Sequence, residues 1–186
     1  MTQINTRVTQ QLDYRWRPIE QTRHADIPKD ILPWLRTDQS ITTKLRTAGD
    51  LIVELVSEYW GTPTPRERMR LGLKTREFAR IRTVILKVDG TAVIYARSII
   101  PARSLKGSWR YLPYLNNAPL GGYVYRSRNL IRSPIEITKL PAGILSNCSE
   151  PLWARRSIFQ EYGPGILVNE VFYPSISELT NAAGRF

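Results

Sequence analysis

Two arginines and one glutamate stand where the surrounding sequence asks for apolar residues. Arg82 and Arg97 lie in RIRTVILKVDGTAVIYARSII, residues 80–100, and Glu170 lies in GILVNEVFYP, residues 165–174. A guanidinium on a half-buried apolar face recognises a carboxylate through its planar fork. A lone acid nearby serves as a counter-ion, or joins the cations in a charged pocket. Two cations and one acid in a pocket dry enough to make each charge count suit a small anionic ligand. The competing reading is structural: Glu170 is the counter-ion of Arg82 or Arg97, and no ligand is involved.

Other chemistries have little to stand on. His24 is the only histidine and lies in a polar N-terminal stretch, where a surface position is expected. A Ser-His-Asp triad and a histidine metal site are therefore unsupported. No Gly-rich phosphate motif occurs, and a single cysteine, Cys148, rules out an internal disulfide framework. The formal net charge is +11, densest over residues 66–82. Such charge favours nucleic acid, a membrane surface or small acids, or it is simply a solvated basic face. The sequence shows no nucleic-acid motif and no basic stripe with stacking aromatics, so nucleic acid is not expected. No apolar run approaches the ~18 residues of a membrane span, and no signal-peptide core opens the chain. A cytoplasmic, monomeric protein without stable membrane insertion is the expectation.

The elements that must hold the three charged residues read as follows. Asp89-Gly90 between β-branched runs predicts a two-residue hairpin turn. Uninterrupted pairing from that turn sets Val88 opposite Thr91 and Arg82 opposite Arg97, on one face. Like charges so placed destabilise a sheet, so an anion is expected between or beside them. Residues 26–35 and 40–48 read as helices, the second capped by Ser40 and stopped at Gly49. Residues 51–60 read as a strand, 61–72 as a loop or mobile connection, and 101–115 as a helix ended near Pro113. Residues 129–139, 153–161 and 166–173 read as strands. The fold class is α+β: one domain over 1–186, an antiparallel sheet with helices covering one face. Residues 1–25 read as a peripheral segment.

Five blocks carry a family resemblance: SITTKL (40–45), REFARIRTVILKVDGTAVIYARSIIP (76–101), APLGGYVY (118–125), WARRS (153–157) and LVNEVFYP (167–174). In this order the chain resembles the chorismate pyruvate-lyase family, whose members convert chorismate to 4-hydroxybenzoate, an aromatic precursor of ubiquinone or a related quinone. The resemblance implies an antiparallel sheet with helices on one side and an enclosed ligand site, and chemistry without metal, cofactor or covalent nucleophile. It implies that Arg82 clamps the ring carboxylate and that a backbone N–H at Leu120 meets the same group. Glu170 then meets the 4-hydroxyl, or helps remove the neighbouring ring proton. Arg97 stands as the second basic group, suited to the enolpyruvyl carboxylate. Ile41 lies in the first flap helix, at a position that is methionine in some relatives. Residues 40–48 and 101–115 are the candidate covers. Residues after Tyr173 and around 140–151 have no counterpart in the resemblance. The alternative is a non-catalytic effector-binding module of the same fold. Such a module normally carries a helix-turn-helix domain, and only about 25 residues precede the first expected helix.

Overall fold

The computed structural model describes residues 14–23, 26–145 and 148–183. His24 lies outside the described residues. Eight antiparallel strands form one sheet: β1 (Arg17–Pro18), β2 (Leu51–Gly61), β3 (Ala79–Val88), β4 (Thr91–Pro101), β5 (Ile131–Arg132), β6 (Glu136–Leu140), β7 (Leu152–Gln160) and β8 (Ile166–Phe172). Their order is β1-β6-β7-β8-β4-β3-β2, with β5 added to β7. The expected α+β class with an antiparallel sheet is what the structure shows. Residues 14–23 are not peripheral: Arg17 and Pro18 pair with β6, and Ile19 is buried in the core.

Helices α1 (Leu32–Arg36), α2 (Ile41–Arg46), α4 (Leu120–Val124) and α5 (Ile176–Ala183) gather over one face of the sheet, with a 3-10 segment at Gly107–Tyr114. Their apolar side chains meet Val53, Val84, Leu86, Ile94 and Phe172 in one cluster, and Ile100, Phe159 and Ile166 in another. Among the described residues the opposite face carries one helix, α3 (Pro65–Leu71), and part of the connection from β6 to β7, whose Ile144 and Leu145 are buried. Residues 61–72 are thus not a plain loop. Thr64 and Glu67 form a reciprocal capping box, Pro65 takes the first helical position, and Gly72 ends the helix at φ +61°.

The hairpin turns as expected, with Asp89 and Gly90 both at positive φ. The pairing then departs from the uninterrupted register. Lys87 pairs with Ala92 but Leu86 pairs with Ile94, so Val93 is an extra residue, a β-bulge. Its carbonyl accepts a hydrogen bond from the Tyr173 N–H. One inserted residue reverses every later side chain. Arg82 therefore sits opposite Ser98, Arg97 sits opposite Thr83, and the two arginines lie on opposite faces of the sheet. The expected like-charge pair does not exist.

Candidate active site

The helix-covered face of the sheet, read across the ladder, holds Arg82 and Leu86 from β3, Ala96 and Ser98 from β4, Val168 and Glu170 from β8, and Arg155 and Phe159 from β7. Alternation puts these side chains on one side. Helices α2 and α4 close over them through Ile41, Thr42, Leu120 and Val124, leaving a cavity of about 50 Å³. Most of its lining is buried, so charges there act in a weakly screening medium. The second cover is α4 and not residues 101–115, which pack behind it. Gly121 lets the two covers meet. A Cβ there would fall 2.9 Å from Ser40 Oγ and 3.3 Å from Thr42 Oγ1. Ser40 gives its own helix no side-chain cap, and its hydroxyl instead bonds to Thr42 Oγ1 at 2.9 Å.

Two charged poles face this space. At one, Arg82 is 1% exposed, and its Nη2 donates to the carbonyls of Asn116 (2.6 Å) and Ala118 (3.0 Å). Among the described residues no carboxylate lies within ion-pair distance of it, and its buried Nε has no hydrogen-bond partner. Burial pulls the Arg82 pKa below the usual arginine range, and Glu58 on the adjacent strand offsets part of that. Glu58 is itself held by Arg80 at 3.2 Å. A buried guanidinium without a counter-ion is costly, and this one borders a cavity.

At the other pole, Arg155 and Glu170 are direct cross-strand partners, Nε to Oε2 at 2.5 Å. The Arg155 Nη1 donates to the carbonyls of Trp34 (2.9 Å) and Thr37 (3.0 Å). Arg132 stands behind, its Nη1 on the same Thr37 carbonyl and its Nε on Ser157 Oγ, both at 3.0 Å. Burial, then repulsion from Arg155, lowers the Arg132 pKa. Arg155 is thus paired with Glu170, and Arg132 adds a second guanidinium to this pole, its charge offset in part by Glu170 and Asp38. Tyr125 from the end of α4 donates to the Asp38 carbonyl at 3.0 Å, tying the second cover to the chain that leads into α2.

Arg82, Glu170, Leu120 and Ile41 all come together at the cavity. Arg97 does not. It lies on the opposite face, 2% exposed, and its Nε and Nη2 bond both oxygens of Glu67 at 2.9 and 3.2 Å. The bulge at Val93 removes it from the site, and the capped helix α3 supplies its counter-ion. Arg155 was not singled out from the sequence. Its signal was present in LWARRSIFQ, where alternation sets Arg155, Ser157 and Phe159 on the face that also carries Glu170. Among the described residues no cluster of three His, Cys, Asp or Glu side chains could hold a metal ion. The arrangement can bind a small acid with anionic groups at two ends and a hydroxyl within reach of Glu170.

Comparison with known proteins bears on the same residues. A family profile described as "Chorismate lyase" matches residues 13–181. A protein named "Probable chorismate pyruvate-lyase" from Aromatoleum aromaticum is 33% identical over 165 residues, covering 82% of this chain and 89% of that protein. One of the same name from Marinobacter nauticus is 37% identical over 150 residues, covering 80% and 78%. Among solved structures, the effector domain of PhnF from Mycobacterium smegmatis matches with a TM-score of 0.51 at 16% identity, over 74% of this chain and 90% of that one. At that identity the likeness concerns the fold alone.

Proposed function

The chain belongs to the chorismate lyase family, and from that premise we propose that it is a chorismate pyruvate-lyase, taking chorismate to 4-hydroxybenzoate and pyruvate. The observation that carries the reading is Arg82: a fully buried cation with no carboxylate in ion-pair distance among the described residues, at a cavity whose other end holds Arg155 and Glu170. Chorismate carries two carboxylates and one hydroxyl, and the two positive poles match that distribution. Arg82 takes the ring carboxylate, together with a backbone N–H at Leu120, where the first turn of α4 has no intrahelical acceptors. Arg155 takes the place first expected of Arg97 and meets the enolpyruvyl carboxylate. Glu170 accepts a hydrogen bond from the ring hydroxyl. Ile41 packs on the ring from above.

The reaction breaks the bond between the ring and the enolpyruvyl oxygen. The adjacent ring carbon, which bears the hydroxyl, loses its proton, and the enolpyruvyl methylene gains one to become the methyl group of pyruvate. Aromatisation makes the step downhill. What the protein supplies is orientation and stabilisation of the negative charge that gathers on the departing oxygen. Arg155 is placed to carry that charge. The product's use as the aromatic precursor of a quinone belongs to the same proposal.

The test is incubation of the purified chain with chorismate, following both products. One 4-hydroxybenzoate per pyruvate is expected. Saturable binding of chorismate with no product would favour an effector-binding module and end the proposal.

A further inference from the structure

The pairing register gives this molecule two unlike ends. Gly61 pairs with Ala79, Ala79 with Pro101, Ile166 with Phe159 and Gln160 with Ile131, so these strand ends form one row. The connections that leave that row, residues 62–78, 102–130 and 161–165, carry ten Lys or Arg and three Glu. One of those three, Glu67, is buried against Arg97. The turns at the opposite end, residues 47–50, 89–90, 141–151 and 173–175, carry three acids and no Lys or Arg. The +11 charge is therefore not spread evenly. It is polarised along the strands.

The basic end is also where apolar side chains stand in solvent. Of the nine large hydrophobic residues exposed among the described residues, six belong to it: Trp60, Met69, Phe78, Tyr111, Tyr114 and Ile131. Met69 is 75% exposed and Tyr114 is 74%. They come from five separate segments. Trp60 lies at the end of β2 beside Gly61, Phe78 precedes β3, Met69 lies on α3, the tyrosines lie on the 3-10 segment and Ile131 opens β5. That segment is fixed to this end by Trp109 against Tyr162, and the chain leading into it by Ser104 Oγ, which donates to the Gly165 carbonyl at 2.9 Å. Cations stand among the apolar residues. Lys74, Arg76 and Arg103 line one cleft together with Glu77, which pairs with Arg103, and Arg126 and Arg128 line another with Glu161.

We infer that this end docks on the surface of an anionic phospholipid bilayer, its basic residues against headgroups and its apolar side chains in the interface. Protruding aromatic and aliphatic side chains ringed by Lys and Arg are what interfacial binding uses. A single-stranded nucleic acid would need open ring faces on which bases stack. Here two of the four exposed rings are already attended: Arg80 lies over Trp60 at 5.9 Å and Arg110 over Tyr111 at 4.7 Å. Met69 and Ile131 offer no ring at all. Among the described residues no helix is long and apolar enough to cross a membrane, so the association is peripheral.

Co-sedimentation of the full chain with phospholipid vesicles tests this. Phosphatidylcholine vesicles containing about one quarter phosphatidylglycerol should retain the protein, pure phosphatidylcholine should not, and salt raised from about 0.05 to 0.5 M should release it. Lys74→Glu with Arg76→Glu should weaken retention at least about tenfold. Trp60→Ser with Phe78→Ser should weaken it several-fold and leave turnover of chorismate in solution unchanged, since neither residue borders the cavity. Equal retention on both vesicle types, or charge-reversed protein binding as well as wild type, would overturn the inference. So would capture by a single-stranded oligonucleotide without any by vesicles, which would assign the surface to nucleic acid.

Discussion

Arg82 and Arg97 look alike in the sequence, buried cations in adjoining strands, and one inserted residue separates their roles. Arg97 is satisfied by both oxygens of Glu67, whereas Arg82 has two carbonyls and a free Nε. Arg97→Ala should therefore strand a buried carboxylate and cost about 3–5 kcal/mol of stability. Replacing the pair together, Arg97→Met with Glu67→Leu, should restore most of it. Denaturant midpoints of the single and double variants decide this, and an Arg97→Ala protein as stable as wild type would contradict the assignment. At the cavity, Arg155→Ala should lower kcat by orders of magnitude, because the enolpyruvyl carboxylate and the departing oxygen lose their cation. A change confined to KM would remove Arg155 from the transition state. Arg82, Glu170, Leu120 and Ile41 could be found in the sequence because each sits in a block where residue type clashes with pattern or matches the family. Arg155 was legible in the same way but lay inside a block read only as a label.

At the scale of elements, the strands were legible because β-branched alternation and the Asp89-Gly90 turn speak locally. The bulge was not. Nothing in TAVIYARSII marks Val93 as extra, and its carbonyl is satisfied by Tyr173, some eighty residues along the chain. Helix α3 was legible and went unread: Thr64-Pro65-Arg66-Glu67 spells a capping box with proline at the first turn. The expected long strand over 129–139 breaks at Ser133-Pro134, where proline withholds a ladder donor. The 3-10 segment 107–114 answers to the burial of its own Trp109 and Leu112 more than to any period in its sequence. Because α3 carries the counter-ion of Arg97, its cap matters beyond the helix. Thr64→Ala should cost about 1 kcal/mol, read as a fall in the unfolding midpoint. Cap loss that left the midpoint unmoved would show that α3 is held by the Arg97–Glu67 pair alone.

The whole molecule places its ligand face under helices and ties its other face together with buried and half-buried ion pairs. Glu136 joins Arg156 at 2.7 Å and Arg70 at 3.0 Å. Burial pushes its pKa up, but the hydrogen bonds from Arg156 and Arg70 outweigh that and hold it below the ordinary 4.5. A carboxylate whose pKa is depressed by folding contributes stability above its unfolded pKa and loses it as pH falls through the folded value. Glu136→Gln should therefore be less stable than wild type at neutral pH, and its stability should fall less steeply between about pH 5 and 3. Unfolding midpoints across that range check the sign. Closure by α2 and α4 over a small cavity also predicts that an aromatic product leaves slowly. A pre-steady-state burst of 4-hydroxybenzoate is expected, and a linear onset would place chemistry before release as the slow step. The account as a whole rests on one statement, that Arg82 is buried for a ligand and not for the sheet. Titrating 4-hydroxybenzoate into wild type and Arg82→Ala, with the ligand-free melting temperature of each, tests it most directly. Binding should weaken by about 2–5 kcal/mol, as for removing one partner of a buried charge pair, while the ligand-free Tm holds or rises. A variant that binds 4-hydroxybenzoate normally and melts far lower would contradict it.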